Sequence, residues 1–166
     1  MTRLIDAVHR VLTWLLVATV AILIIPVSLQ IFSRFTEFLP RYIWTEEMSR
    51  FLFIWMIMLG AMIGIREGTH FDVDVWPELS DRANALLRIV SQVAILLFAL
   101  VFIWYGIKFV EFGWEQTSEL ADLPMWLIFI AWPLTGISWL MFLVEAFVRD
   151  IGMYRRNEAL ATGEFS

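Results

Sequence analysis

The chain has 166 residues, of which 60% are hydrophobic, 16% aromatic and 17% charged, and its mean hydropathy is +0.75. Soluble domains average about 45–50% apolar and about 25% charged residues, so this composition indicates an integral membrane protein. The net charge of −5 argues against a nucleic-acid partner. Because the chain has no cysteine, disulfides, thiolate metal sites and cysteine nucleophiles are excluded.

Four apolar runs approach the roughly 20 residues that a membrane-crossing helix needs. They predict an all-α integral membrane protein with four transmembrane helices. One membrane domain is expected over residues 1–150, followed by a polar cytoplasmic tail over 151–166. The predicted spans cover about residues 11–33, 46–66, 86–110 and 123–145. The first run is too long for a signal peptide and is interpreted as a retained helix. Residues 36–45 are compatible with a short interfacial helix between the first two spans.

The second span is short between its flanking charges. Its uncharged part, residues 51–65, covers about 22 Å at about 1.5 Å per residue, against a hydrocarbon core of about 30 Å. The helix is therefore expected to continue through Arg50 towards Glu46 and Glu47. Glu46 lies four residues before Arg50 and Glu47 three, so both carboxylates are placed to pair with the arginine. Trp44 beside them is typical of an interfacial anchor.

Glycines recur on one face of the second span. Gly60, Gly64 and Gly68 are spaced by four residues, which places them on the same side of a helix. Small residues in this pattern let another helix approach closely. The pattern leaves open whether that helix belongs to this chain or to a partner. Pro133 and Gly136 make the fourth span a further candidate for close packing.

The distribution of positive charge predicts the orientation in the membrane. Most of the 12 Lys and Arg residues fall at the two termini and in the connection between the second and third spans. The positive-inside rule then places both termini in the cytoplasm. The opposite, outer side is mildly acidic, and the apolar interiors of the spans carry no charged residue.

The order of these polar residues and glycines along the chain resembles the signature of the small membrane subunit of TRAP transporters, the tripartite ATP-independent periplasmic transporters. The resemblance covers roughly residues 8–150. The residues that carry it are Trp44, Glu46, Glu47, Arg50, Trp55, Gly60, Arg66, Gly68 and His70, with Pro133 and Gly136 in the last span.

The resemblance implies a scaffold subunit in the bacterial inner membrane, without catalytic, cofactor or metal residues of its own. Its expected partners are a large elevator-type permease subunit, a periplasmic substrate-binding protein and membrane lipids. The transporter would be sodium-coupled and import organic acids such as C4-dicarboxylates or sialic acid.

Three sets of residues are candidates for contacts. The expected interface with the large subunit comprises Trp44, Glu46, Glu47, Arg50, Gly60, Gly64, Arg66, Gly68, His70, Pro133 and Gly136. The lipid-headgroup candidates are Arg34, Arg41 and Arg50. The candidates for contact with the binding protein are Glu37, Glu111, Glu115, Glu119 and Asp122.

Other functions fit the residues less well. His70, Asp72 and Asp74 form an H-x-D-x-D pattern, but its alternation with apolar residues favours an extended segment over a metal site. An autonomous four-helix transporter is the main alternative, although such carriers rely on an ionisable group within the membrane and the span interiors have none. A redox-enzyme anchor would need histidines within the spans, and both His9 and His70 lie outside the apolar runs.

Overall fold

Among the described residues, four helices are long and apolar enough to cross a membrane. The computed structural model describes residues 2–36, 42–68 and 81–161. Its helices are α1 Thr2–Phe35, α2 Trp44–Gly68, α3 Asp81–Gly113, α4 Trp126–Phe129 and α5 Ala131–Ala161. The candidate spans are Arg3–Phe35, Trp44–Arg66, Val90–Gly113 and Trp126–Phe147. The predicted all-α fold with four membrane helices is confirmed, and half of the predicted interfacial helix, residues 37–41, lies outside the described residues.

The fourth span is built from two helices, and a proline accounts for the break. Pro133 has no backbone N–H, so it cannot donate to the carbonyl of Phe129 one turn earlier. The break falls at Ile130, between α4 and α5. The span begins at Trp126, slightly later than the predicted residue 123, because Asp122 adopts a positive φ of 49° in the preceding loop instead of capping the helix.

The helices associate as two pairs. α1 packs along α2, and α3 packs along α4 and α5, while α2 and α5 bring the pairs together. Within the described part of the chain, α3 contacts neither α1 nor α2. Gln30 of α1 links the two helices of the first pair. Its Nε2 donates to the Thr45 carbonyl and to Ser49 Oγ of α2, each at 2.7 Å. Because the arrangement is open, a large part of the apolar surface of α1 and α3 remains exposed to lipid or protein.

Glycines and aromatic rings form the contact between α3 and the fourth span. A Cβ atom at Gly136 would lie 2.7 Å from the Ala99 carbonyl oxygen, and one at Gly106 would lie 2.6 Å from Pro133 Cδ. Such distances show that the backbones approach closely, as small residues permit in membrane helices. The rings of Phe102 and Trp139 lie beside this contact, with centroids 5.1 Å apart.

We predict that Gly136→Ala destabilises the chain whereas Gly64→Ala does not. The new methyl group at position 136 would clash with the α3 backbone, and overpacking of this kind costs about 1–3 kcal/mol. A Cβ atom at Gly64 meets nothing within 4 Å, so that variant gains helix propensity and keeps its packing. Thermal unfolding of each purified variant in mild detergent measures its stability relative to the wild type. Equal midpoints for the two variants would contradict the close α3–α5 contact.

Candidate functional site

A series of polar contacts joins α2 to the fourth span and to the loop that precedes it. Four positions along α2 take part: Glu47, Trp55, the carbonyl of Ala61, and Arg66. Their partners, in the same order, are the loop at 118–121, Leu127, Trp139 and Glu145. Because both series rise along the chain, α2 and the fourth span run in the same direction. We call this set of contacts the polar seam, and its two ends the Glu47 end and the Arg66 end.

Glu47 binds the loop through a single carboxylate oxygen. Ser118 Oγ donates to Glu47 Oε2 at 2.6 Å, and the backbone N–H groups of Leu120 and Ala121 donate to the same oxygen at 3.1 and 2.7 Å. Only 9% of the Glu47 residue surface is exposed. A buried carboxylate is costly unless donors surround it, and three donors satisfy this requirement here. Glu47 therefore fixes the loop on the first turn of α2.

The loop is shaped to present those donors. The backbone N–H of Ser118 donates to the Leu123 carbonyl at 2.8 Å, and the N–H of Met125 donates to the Gln116 carbonyl at 2.9 Å. Ser118 Oγ also accepts from the N–H of Leu123 at 3.2 Å. Consecutive backbone N–H groups in such a turn form a concave anion-binding site. In this protein the anion is the chain's own glutamate.

Two tryptophans form the middle of the polar seam. Trp55 Nε1 on α2 donates to the Leu127 carbonyl at 3.0 Å, and Trp139 Nε1 on α5 donates to the Ala61 carbonyl at 2.9 Å. The helices thus exchange one indole hydrogen bond in each direction. Hydrogen bonds across membrane helices compensate for the absence of a hydrophobic force between them.

Arg66 connects three helices at the other end of the seam. Its Nη2 contacts Asp6 Oδ1 of α1, and its Nε lies 3.4 Å from Glu145 Oε2 of α5. The guanidinium also lies over the Phe142 ring, 5.8 Å from the centroid. The side chains of Arg66 and Glu145 are only 22% and 16% exposed, so the pair is partly desolvated.

The predicted pairing of Glu46 with Arg50 is present. Arg50 Nη2 lies 3.8 Å from Glu46 Oε1, and both side chains are largely exposed, at 65% and 70%. Glu47, which was expected to pair with Arg50 as well, instead turns its carboxylate to the loop at 118–121, and Arg50 is only a weaker electrostatic neighbour. Trp44 is exposed beside Tyr42, with ring centroids 6.2 Å apart.

The glycines of α2 and those of the fourth span have different surroundings. A Cβ atom at Gly60 or Gly64 would meet nothing within 4 Å, so no helix of the described chain packs on this face. Gly136 and Pro133, by contrast, are buried and lie against α3. Their close packing occurs within the chain, while their contact with a partner subunit stays a prediction.

The remaining candidates lie on the surface or outside the described residues. Glu111, Glu115, Glu119 and Asp122 are exposed around the loop, and Arg34 is exposed at the end of α1. None of these five forms an ion pair within the described part of the chain. Glu37, Arg41 and His70 lie outside the described residues, so their predicted contacts stay predictions, and for Gly68 only its place in α2 is described.

The sequence analysis did not identify Ser118 and Glu145 of the polar seam, nor Asp6, which contacts Arg66 from α1. Ser118 and Asp6 are common residue types in unremarkable positions, and no pattern marks them. Glu145 faces Arg66 of α2, although Arg149 lies four residues further along its own helix. An unpaired carboxylate near the end of an apolar span does signal a distant partner, since charge at such depth is costly.

Comparison with known proteins identifies the family. The family described as "Tripartite ATP-independent periplasmic transporters, DctQ component" matches residues 23–153, which includes the whole polar seam between Glu47 and Glu145. The chain belongs to this family. It is a DctQ-like small permease subunit of a TRAP transporter and a multi-pass membrane protein.

Relatives with similar sequences carry corresponding names. The C4-dicarboxylate TRAP transporter small permease protein DctQ of Rhodobacter capsulatus is 33% identical over 112 residues, covering 63% of this chain and 48% of that protein. A putative TRAP transporter small permease protein of Haemophilus influenzae is 26% identical over 159 residues, 95% of this chain and 98% of that protein. The isethionate TRAP transporter permease protein DctMQ of Oleidesulfovibrio alaskensis is 28% identical over 96 residues, 56% of this chain but only 15% of that protein.

We predict that Glu47→Ala releases the loop from α2. Without the carboxylate, the N–H groups of Leu120 and Ala121 lose their acceptor, and their amide hydrogens should exchange roughly tenfold faster. Hydrogen exchange of the purified chain, read by mass spectrometry, measures this. Glu46→Ala is the matched control, because Glu46 is the exposed neighbour of Glu47 and pairs with Arg50 on its own helix. Unchanged exchange in Glu47→Ala would contradict the role given to this side chain.

We also predict that Arg66→Met destabilises the chain far more than Arg50→Met. Removal of Arg66 leaves Glu145 without this countercharge in a partly desolvated position, and breaking such pairs costs about 3–5 kcal/mol when burial is complete. The exposed pair of Arg50 contributes about 0–1 kcal/mol. Thermal unfolding in detergent compares the variants. If Glu145→Gln restores stability to Arg66→Met, the unpaired carboxylate is the cause; similar losses at both arginines would refute this explanation.

Proposed function

We propose that this chain is the scaffold subunit of a sodium-coupled TRAP transporter and that it docks on a large permease subunit through α2. The observation that carries the proposal is the open glycine face of that helix. At Gly106, Gly113 and Gly136, atoms of the same chain occupy the space where a Cβ atom would lie, whereas Gly60 and Gly64 have open space beside them. Glycine destabilises a helix by about 1 kcal/mol relative to alanine. Close approach of a helix from another subunit would explain why glycine occupies these positions.

Two longer relatives support a large membrane partner. The DctMQ protein of Oleidesulfovibrio alaskensis and the sialic acid TRAP transporter permease protein SiaT of Haemophilus influenzae match this chain over 15% and 19% of their own lengths. A segment similar to this chain is therefore part of a longer permease protein in each. In the proposed complex, the two are separate subunits and the docked surface includes Trp44, Arg50 and the glycines of α2.

The transported substrate is proposed to be an organic acid. The names of relatives specify C4-dicarboxylate, isethionate and sialic acid, which are all anionic at neutral pH. The substrate and sodium sites are assigned to the large elevator-type subunit, because the span interiors of this chain carry no ionisable residue. The chain is placed in the bacterial inner membrane with both termini in the cytoplasm. The exposed acids around the loop at 118–121 then face the periplasm, where a substrate-binding protein would contact them.

The first test is a pull-down of the tagged chain from its native membranes in mild detergent, with mass spectrometry of the proteins that accompany it. A stoichiometric large membrane protein is expected. A chain that purifies alone as a stable homo-oligomer would overturn the scaffold proposal and favour the autonomous four-helix transporter.

We predict that Gly64→Leu abolishes the complex without unfolding the chain. The larger side chain has open space within this chain, so the thermal midpoint of the isolated subunit should stay within a few degrees of the wild type. The same bulk would block the approach of a partner helix. The pull-down measures assembly, and Ala94→Leu, which adds a leucine to the exposed surface of α3, is the matched control. Wild-type recovery of the large subunit with Gly64→Leu would contradict docking on this face.

A further inference from the structure

A cavity opens between α1 and the last turn of α2, at the Arg66 end of the molecule. Its volume is about 430 Å³. The lining residues are Asp6, His9, Arg10, Thr13, Trp14 and Arg66. Five of these six residues are polar or charged, and the sixth, Trp14, is a large aromatic residue at the side nearer the centre of α1.

The depth of the cavity in the membrane follows from the length of the apolar run of α1. Residues 11–33 carry no charge and span about 34 Å as a helix, close to the roughly 30 Å of the hydrocarbon core. Arg10 therefore lies at the boundary where lipid phosphates are found. Arg66 ends the apolar run of α2 at the same boundary, since the two residues line one cavity.

The two arginines of the cavity differ in whether a carboxylate neutralises their charge. Arg66 already has two carboxylate partners, Asp6 and Glu145. Arg10 is exposed and forms no ion pair with any described residue. One turn further into the membrane, Trp14 is 69% exposed beside the same opening. A guanidinium at phosphate depth, followed by an indole at the depth of the glycerol and upper acyl chain, matches the order of groups in a phospholipid.

We propose that this cavity binds the phosphate group of an anionic phospholipid. The Arg10 guanidinium donates hydrogen bonds to the phosphate oxygens, a geometry for which arginine is well suited. Trp14 packs against the glycerol and the first methylene groups. This site lies at the opposite end of α1 from Arg34, so it is distinct from the predicted lipid contacts at the Glu47 end. It does not depend on the large permease subunit.

Native mass spectrometry of the full chain, in the assembly in which it purifies, tests the proposal. The probes are phosphatidylglycerol, phosphatidylcholine and inorganic phosphate. We expect the wild type to retain phosphatidylglycerol in preference to phosphatidylcholine, and Arg10→Gln to weaken that retention roughly tenfold, as expected for loss of a charge-assisted phosphate contact. Arg3→Gln is the matched control, because it removes an exposed arginine of the same helix outside the cavity.

Trp14→Ala provides a second, independent variant, and its exposed position makes misfolding a poor explanation for an effect. Retention severalfold below the wild type is expected. The proposal is overturned if Arg10→Gln retains the lipid like the wild type, or if Arg3→Gln loses it equally. It is also overturned if phosphatidylcholine binds as well as phosphatidylglycerol, or if inorganic phosphate displaces the lipid, because the ligand would then be a soluble anion.

Discussion

The polar seam between α2 and the fourth span is the contact on which the rest of the structure depends. Each of the two helix pairs holds together by its own packing, but the pairs meet chiefly where α2 lies along α5. Apolar side chains gain little by leaving lipid for one another, so this junction relies on directional contacts. The carboxylate of Glu47, the indoles of Trp55 and Trp139 and the guanidinium of Arg66 supply them at intervals along the whole span.

The polar seam also divides the residues of α2 into those with contacts inside the chain and those that remain exposed for a partner. Glu47 and Arg66 were candidates for a partner interface, yet their visible contacts lie within the chain. Glu46 and Arg50 remain largely exposed, and the face with Gly60 and Gly64 has no neighbour in the described chain. One helix therefore uses one side to hold the subunit together and keeps another side open. An open face of this kind supports the scaffold role proposed above.

Much of the fold followed from sequence patterns, because the lipid environment constrains them strongly. Apolar length gave the four spans, and the i, i+4 spacing gave the pair of Glu46 with Arg50. The partner of Glu47 was not predictable, since Ser118 lies 71 positions away in a loop whose conformation rests on its own hydrogen bonds. The glycine spacing at Gly64 and the pairing of Pro133 with Gly136 both indicated close approach of a helix. Neither pattern distinguished a filled contact from an open one, because that depends on where the neighbouring helix lies.

The direction of the two central helices has an electrostatic consequence. α2 and the fourth span are parallel neighbours, so their backbone dipoles point the same way and repel, unlike the antiparallel partners within each pair. Both helices begin at the Glu47 end, where their partial positive charges accumulate. Glu47 places a negative group in the first turn of α2, and Arg66 places a positive group in its last turn. The two residues that close the seam thus also offset the dipole repulsion that a parallel helix pair creates.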